Sequence, residues 1–404
     1  MRLLVPAAAV ASACVGFETG ATAFQLREGS ATALGAAVAG RSASDRDVSF
    51  SLYNPAALAG VKGLELSSGV TGLLIYGDAR ADVTLPGFRA SDDPSRHAVI
   101  PSFTVGWRVS PDFVLGLAID TPFGLVTEYK SDFVGAFDAV RSELTTITVT
   151  PQVAWRILPN FAIGAGVMVQ YADAELQNRG PNGVQNVSGD GFDVGFTVGF
   201  QFEPVEGTRI GATVQSGFNH KLEGDYSGDF FPAVLAGAPV DASFDLPPVA
   251  SLGLIQSITP AFRVMGEVEW TGWSAFDRIT FTSTGRPTVV DVQSYEDSWL
   301  FSLGAEYDVD DRLTVRAGVA RDLTPTRDAF RTPRVPDGDR WWLAAGASYE
   351  VTERIGLDAA YIYVDIASSG GNLPNTSRVA GRPVRASYSD GSVHLFAVNL
   401  RYAF

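Results

Sequence analysis

Apolar and polar residues alternate with a period of two along most of this chain. At the C-terminus Phe396, Val398, Leu400, Tyr402 and Phe404 interleave with Ala397, Asn399, Arg401 and Ala403. Phe161, Ile163, Ala165, Val167, Val169 and Tyr171 form a second apolar face. Leu313, Val315, Ala317 and Val319 form a third, opposite Thr314, Arg316 and Gly318. Ile147, Val149, Val153 and Trp155 oppose Thr146, Thr148, Thr150, Gln152 and Arg156. Such alternation is the mark of strands with two different faces. About fourteen segments carry it, near 64–76, 97–108, 112–120, 143–157, 161–175, 191–203, 208–221, 243–258, 261–272, 297–308, 312–322, 341–350, 354–366 and 390–404.

The connections sharpen the expectation. Short turns, such as Ser110-Pro111 and Leu158-Pro159-Asn160, alternate with long polar connections at 77–96, 121–142, 176–190, 222–242, 273–296, 323–340 and 367–389. An outer-membrane barrel has this asymmetry, with tight periplasmic turns and long extracellular loops. In hydrocarbon every backbone N–H and C=O must be paired, so only a closed sheet can span. The fold expected is all-β: a transmembrane antiparallel β-barrel of about fourteen strands. Trp107, Trp155, Trp299, Trp341, Tyr349, Tyr361 and Phe404 stand near strand ends, where interfacial girdles form. In a secreted soluble β-protein, the alternative, they would be core.

Residues 24–60 break the pattern. They are rich in Ala, Gly and Ser, and 31–39 could form a small-residue helix. Asn54 followed by Pro55 and Ala56 reads as a helix N-cap with proline at the first helical position. A segment of this size fits a wide barrel lumen as a plug; the alternative is a periplasmic tail. Three units are expected: a signal peptide at 1–23, a plug at 24–60 and a barrel at 61–404. The signal reading rests on Arg2, an apolar stretch too short to span as a helix, and Ala21-Thr22-Ala23 before Phe24. Cys14 is the only cysteine and falls within the signal, which leaves no thiol for disulfides or metals.

Composition agrees with this picture. The 404 residues carry 30 Lys+Arg against 45 Asp+Glu, a net charge of −15, which disfavours a nucleic-acid partner. Hydrophobic residues make up 46% and charged ones 19%, which excludes long disorder. Catalytic constellations are missing. His97, His220 and His394 are scattered without metal spacing, and no Gly-x-Ser-x-Gly elbow occurs. Ser188 to Asp193 has a faint likeness to a calcium repeat but reads better as a turn. Neither enzyme activity nor a cofactor or metal is expected.

Three stretches carry a family resemblance. Phe24-Gln25-Leu26 leads through the Gly/Ala-rich segment into Tyr53-Asn54-Pro55-Ala56. Glu269-Trp270-Thr271-Gly272-Trp273-Ser274 precedes Pro333-Arg334-Val335-Pro336-Asp337-Gly338-Asp339-Arg340-Trp341-Trp342, and the chain ends Leu400-Arg401-Tyr402-Ala403-Phe404. Together they resemble the FadL/TodX family of outer-membrane transporters for long-chain fatty acids and other hydrophobic compounds. The resemblance implies an N-terminal hatch (Phe24, Gln25, Leu26, Asn54, Pro55, Ala56) and a motif at Pro336, Asp337, Arg340 and Trp341. It also implies a kinked third strand that opens the wall sideways. Pro122, Phe123 and Gly124 suit such a kink, because proline lacks a ladder N–H and glycine permits a bend; an ordinary strand end is the other reading.

The function expected is passive uptake of long-chain fatty acids across the bacterial outer membrane, by extracellular capture, hatch rearrangement and lateral exit. An aromatic-hydrocarbon channel of the same family and a general porin or structural barrel are the alternatives. The partners expected are the hydrophobic ligand and outer-membrane lipid or lipopolysaccharide, with the protein a monomer.

Overall fold

The computed structural model describes residues 23–180, 183–228 and 239–404; the expected signal peptide lies outside them but for Ala23. Fourteen antiparallel staves form one closed sheet. They are β1 Leu64–Ala81, β2 Ala98–Arg108, β3 Phe113–Asp120 and Gly124–Glu128, β4 Arg141–Leu158, and β5 Phe161–Gly180. Next come β6 Gly183–Val205, β7 Thr208–Gln215 and Phe218–Ser227, β8 Pro239–Leu246 and Val249–Ser257, and β9 Phe262–Thr271 and Arg278–Thr282. The rest are β10 Val289–Val292 and Ser298–Asp308, β11 Leu313–Asp322, β12 Arg340–Glu350, β13 Ile355–Ile366 and Ser369–Asn372, and β14 Arg385–Ala403. The sheet closes where β14 pairs with β1, from Glu65↔Ala403 to Ala81↔Ala386.

The period of two sets the two faces. On β14, Val393, Leu395, Ala397 and Asn399 point in and are buried, while Phe396, Val398 and Leu400 point out and are exposed. All seven expected girdle aromatics, Trp107, Trp155, Trp299, Trp341, Tyr349, Tyr361 and Phe404, are exposed on the outside. A soluble protein would bury them; here they meet lipid.

The strands run further than their apolar patterns. The expected connection 176–190 is mostly ladder: β5 and β6 pair continuously from Phe161↔Phe202 to Gly180↔Gly183. Likewise 273–296 holds a short helical turn, Trp273–Ala275, and two strand pieces that pair Arg278↔Val292. Above the membrane no lipid selects an apolar outer face, so the ladder continues while the dyad pattern fades.

The segment 23–61 lies within the sheet. Most of its residues are buried, and it touches the inner faces of staves around the ring. An added methyl at Gly164, Gly211 or Gly318 would collide with Ala56, Ser42 or Ala36, so glycines on the inner wall let two backbones meet. The helix expected over 31–39 is one turn, α1 Ala31–Leu34, capped by Ser30. Ala37 and Val38 then turn into the left-handed region, at φ 52° and 61°, and end it. Val48–Leu52 and Pro55–Gly60 form tight helical turns.

Candidate functional site

The third stave is broken where the sequence places its proline. β3 pairs with β4 as far as Asp120↔Thr148 and resumes at Gly124↔Thr145. Between these points Phe123 bonds a side chain instead: its N–H donates to Thr146 Oγ1 (3.1 Å) and its carbonyl accepts from the same hydroxyl (2.6 Å). On the other flank the β2–β3 ladder stops at Phe103↔Ile119. Residues 98–102 of β2 pair with β1 alone, and Pro101 stands among them. Thus the wall lacks a ladder between β2 and β3 above Ile119. The strands rejoin where Glu128 N–H donates to the Pro94 carbonyl (3.2 Å).

The N-terminal segment occupies the inner side of that break. Leu26 N–H donates to the Pro122 carbonyl and Gly124 N–H to the Phe24 carbonyl, both at 2.8 Å. Gln25 and Phe123 form an antiparallel bridge. Backbone that has left the wall is therefore paired by the chain's own N-terminal region, as a non-polar surrounding requires.

The sequence-derived residues divide into three groups. Phe24, Gln25, Leu26, Pro122, Phe123 and Gly124 come together at the break. Asn54, Pro55 and Ala56 lie elsewhere, against β4, β5 and β6. Asn54 Oδ1 accepts from Ala56 N–H (3.0 Å), and its amide donates to the carbonyls of Ser42 (2.7 Å) and Phe200 (3.0 Å). Of the last group, Asp337 joins the break: Ala23 N–H donates to Asp337 Oδ2 (3.0 Å), and Arg340 ion-pairs with Asp337. Pro336 lines a nearby cavity, whereas Trp341 faces outward beneath the Arg321 guanidinium.

Above the N-terminal bridge lies an apolar chamber with about 740 Å³ of empty space. Phe24 forms part of it, with Leu144, Leu222, Phe244 and Phe276. Phe24 is clamped edge-on by Trp273 (4.6 Å between centroids) and Phe276 (5.1 Å). Among the charged residues at this chamber, Arg334 stands out. Its Nη1 donates to Ser142 Oγ (3.0 Å), and among the described residues no carboxylate lies within ion-pair distance. Burial pulls this guanidinium below the ordinary arginine range, against the raising effect of the Asp291 and Asp138 carboxylates further off. A second cavity of about 680 Å³ is lined by Ala23 and Val335 inside and by Tyr76, Pro94 and Leu125 at the broken wall. Leu125 and Val335 border both.

Below the bridge is a polar cavity with about 990 Å³ of empty space. Arg27 donates there to Glu269 Oε1 (2.8 Å), Asp322 Oδ2 (3.3 Å) and Gln25 Oε1 (3.0 Å). Arg41 pairs with Glu269 from the other side.

Sequence reasoning assigned no role to Arg334, Trp273, Phe276 or Glu269. Trp273 and Phe276 carried a signal: with Ile279, Phe281 and Tyr295 they make the connection 273–296 too apolar to face water alone.

A closed lipid-facing barrel with an occupied lumen, a broken wall and an apolar chamber is a transport barrel of the outer membrane. The family model for outer membrane protein transport proteins (OMPP1/FadL/TodX) matches residues 12–404, and the chain belongs to that family. Its members are transport channels rather than enzymes, and this chain is an outer-membrane transporter of hydrophobic compounds. It is 28% identical to a 47 kDa outer membrane protein of Pasteurella multocida, over 98% of this chain and 97% of the relative. It is 24% identical to the long-chain fatty acid transport protein of Escherichia coli K12, over 98% of each. Among solved structures, a Pseudomonas aeruginosa FadL homologue aligns with a TM-score of 0.85 at 24% identity, covering 94% of this chain and 99% of that one. The Pseudomonas putida toluene transporter TodX aligns at 0.70 and 16% identity, covering 95% and 100%.

Proposed function

We propose that the substrate is a long-chain fatty acid, and that it passes through the wall rather than along the lumen. Arg334 carries this reading. An arginine with no carboxylate of the described residues in ion-pair distance, at the edge of an apolar chamber, fits a ligand with an anionic head and an apolar tail; a toluene-like ligand has no use for it. The tail gains about 0.8 kcal/mol for each CH₂ buried, so it stays with protein or lipid throughout. Residues 24–60 act as the hatch. Phe24, Gln25 and Leu26 release Pro122, Phe123 and Gly124, while Asn54, Pro55 and Ala56 hold the rest of the segment to the wall. Asp337 and Arg340 steady the upper edge. The barrel works as a monomer, among outer-membrane lipid and lipopolysaccharide.

The test compares ligands. Arg334→Met should weaken fatty-acid binding to the purified protein by about ten-fold or more, the loss of a charge-assisted bond of about 1.5–3 kcal/mol. Binding of a neutral aromatic hydrocarbon should be unchanged. Equal fatty-acid affinity in both proteins, measured by titration calorimetry, would remove the reading and leave the aromatic ligand in its place.

A further inference from the structure

We propose that Leu125 and Val335 form a neck through which a ligand's tail passes from the chamber into the second cavity, and that this neck sets a preference for long chains. The inference rests on the fatty-acid reading above, in its need for an apolar tail. Leu125 is the second residue of β3 after the break, and Val335 follows Arg334 in the connection between β11 and β12. Each lines both cavities. Three short stretches run side by side from one cavity to the other. Phe24 lines the chamber and Ala23 the second cavity. Leu125 gives way to Val126 and Thr127, and Arg334 and Val335 to Pro336 and Asp337. Val335 is buried in the apolar cluster that holds Phe24, and Leu125 packs against that cluster.

The backbones around the neck are tied to one another. Gly124 N–H donates to the Phe24 carbonyl (2.8 Å), Thr127 Oγ1 to the Arg334 carbonyl (3.0 Å) and Ala23 N–H to Asp337 Oδ2 (3.0 Å). With these held, the two side chains decide the width. The two ends of the passage differ in chemistry. At the chamber, Arg334 has no carboxylate of the described residues in ion-pair distance. In the second cavity Arg340 is already paired with Asp337, while Ile75, Tyr76, Pro94, Val126 and Ile366 supply an apolar lining. A carboxylate therefore stays at Arg334 and the tail goes through. A short acid is housed in the chamber alone and gains nothing beyond the neck. Each methylene that reaches the second cavity raises affinity about four-fold, the equivalent of about 0.8 kcal/mol. Tyr76 and Pro94 stand at the broken wall, so a threaded tail already lies at the exit.

Titration calorimetry of the purified barrel with octanoate and palmitate tests this. In the unaltered protein palmitate should bind far more tightly. Leu125→Trp, which fills the neck, should lower the palmitate-to-octanoate affinity ratio by about ten-fold or more, the loss of about two methylenes from the second cavity. Leu125→Ala should keep the ratio. Palmitate with a diazirine at its tail end should label peptides near Pro94 and Ser389 in the unaltered protein, and peptides near Leu222 and Phe244 in Leu125→Trp. Heat-modifiable mobility on gels confirms that each variant is a folded barrel, and Val335→Phe stands in if the tryptophan variant is not. Octanol and hexadecanol separate this claim from the one about Arg334. If the acids bind no better than the alcohols, the fatty-acid reading falls, and an alcohol ratio lowered by Leu125→Trp still upholds the neck. A ratio that Leu125→Trp leaves unchanged, or a tail that never labels the second cavity, overturns the neck whichever head group the ligand carries.

Discussion

Single residues hold the break in place. Thr146 stands in for a strand by serving both polar groups of Phe123 with one hydroxyl. Thr146→Val keeps the shape and removes the hydroxyl, which strands a buried N–H and C=O at a cost of about 1–3 kcal/mol. Amide exchange at Phe123 and Gly124 should speed up and fatty-acid uptake should fall, while barrel mobility on gels stays the same. Unchanged exchange would show that the N-terminal bridge alone supports the kink. At this scale the sequence was partly legible. Asn54 was readable as a cap, because a cap is a local contact two residues long, and Asn54 Oδ1 does bond Ala56 N–H. Arg334 was not, since its meaning depends on which carboxylates are absent around it in space.

Among elements, the extracellular loops make a second apolar cluster, with Tyr129, Phe133, Leu373 and Tyr388 buried together. The short helix α2, Pro374–Ala380, docks on the turn Val134–Phe137 through Asp138, whose carboxylate accepts from Asn375 N–H (2.9 Å) and Thr376 Oγ1 (2.8 Å). Burial pushes Asp138 up from an ordinary 3.8 to about 6, against the lowering effect of those bonds. The docked state therefore prefers the protonated acid. Its stabilisation is complete below pH 3.8 and is lost as pH rises through about 6. Residues 373–377 should be better protected from exchange at pH 4.5 than at pH 7.5, and Asp138→Asn should abolish the difference. A pH-independent protection pattern in the unaltered protein would contradict this. Strand positions were legible within the membrane, where lipid imposes the dyad. The extensions of β5 and β6 above it were not, for lack of that selection.

For the whole molecule, Glu269 is one of the points where the N-terminal segment is tied to the barrel by charge, beside Asp322, Glu306 and Arg209. It accepts from Arg27 and Arg41, and from Ser251 Oγ at 3.3 Å. Glu269→Gln would leave Arg27 with Asp322 and Arg41 with Glu267 as their remaining carboxylates, a loss of about 1.5–3 kcal/mol for the charge-assisted bonds removed. The ladders would persist, but the segment should loosen, and planar-bilayer recordings should show raised ion conductance through the lumen. A variant as silent as the unaltered protein would mean that packing alone retains the segment.

The sequence by itself determined the class of fold, the lipid-facing side of each strand, and the alternation of short and long connections. Those follow from local rules that repeat along the chain: a period of two, a solvent that admits no unpaired backbone, and turn residues at strand ends. It also marked Pro122 and Gly124 as able to leave a ladder. Only the tertiary structure decided what took the ladder's place, because Phe24 and Leu26 are distant in sequence from the carbonyl and N–H they satisfy. The same holds for the chamber, built from residues of β3 to β9 around Phe24, and for the charged residues that line it. Charge balance in a cavity depends on every residue that lines it, and closing the barrel is what brings those residues together.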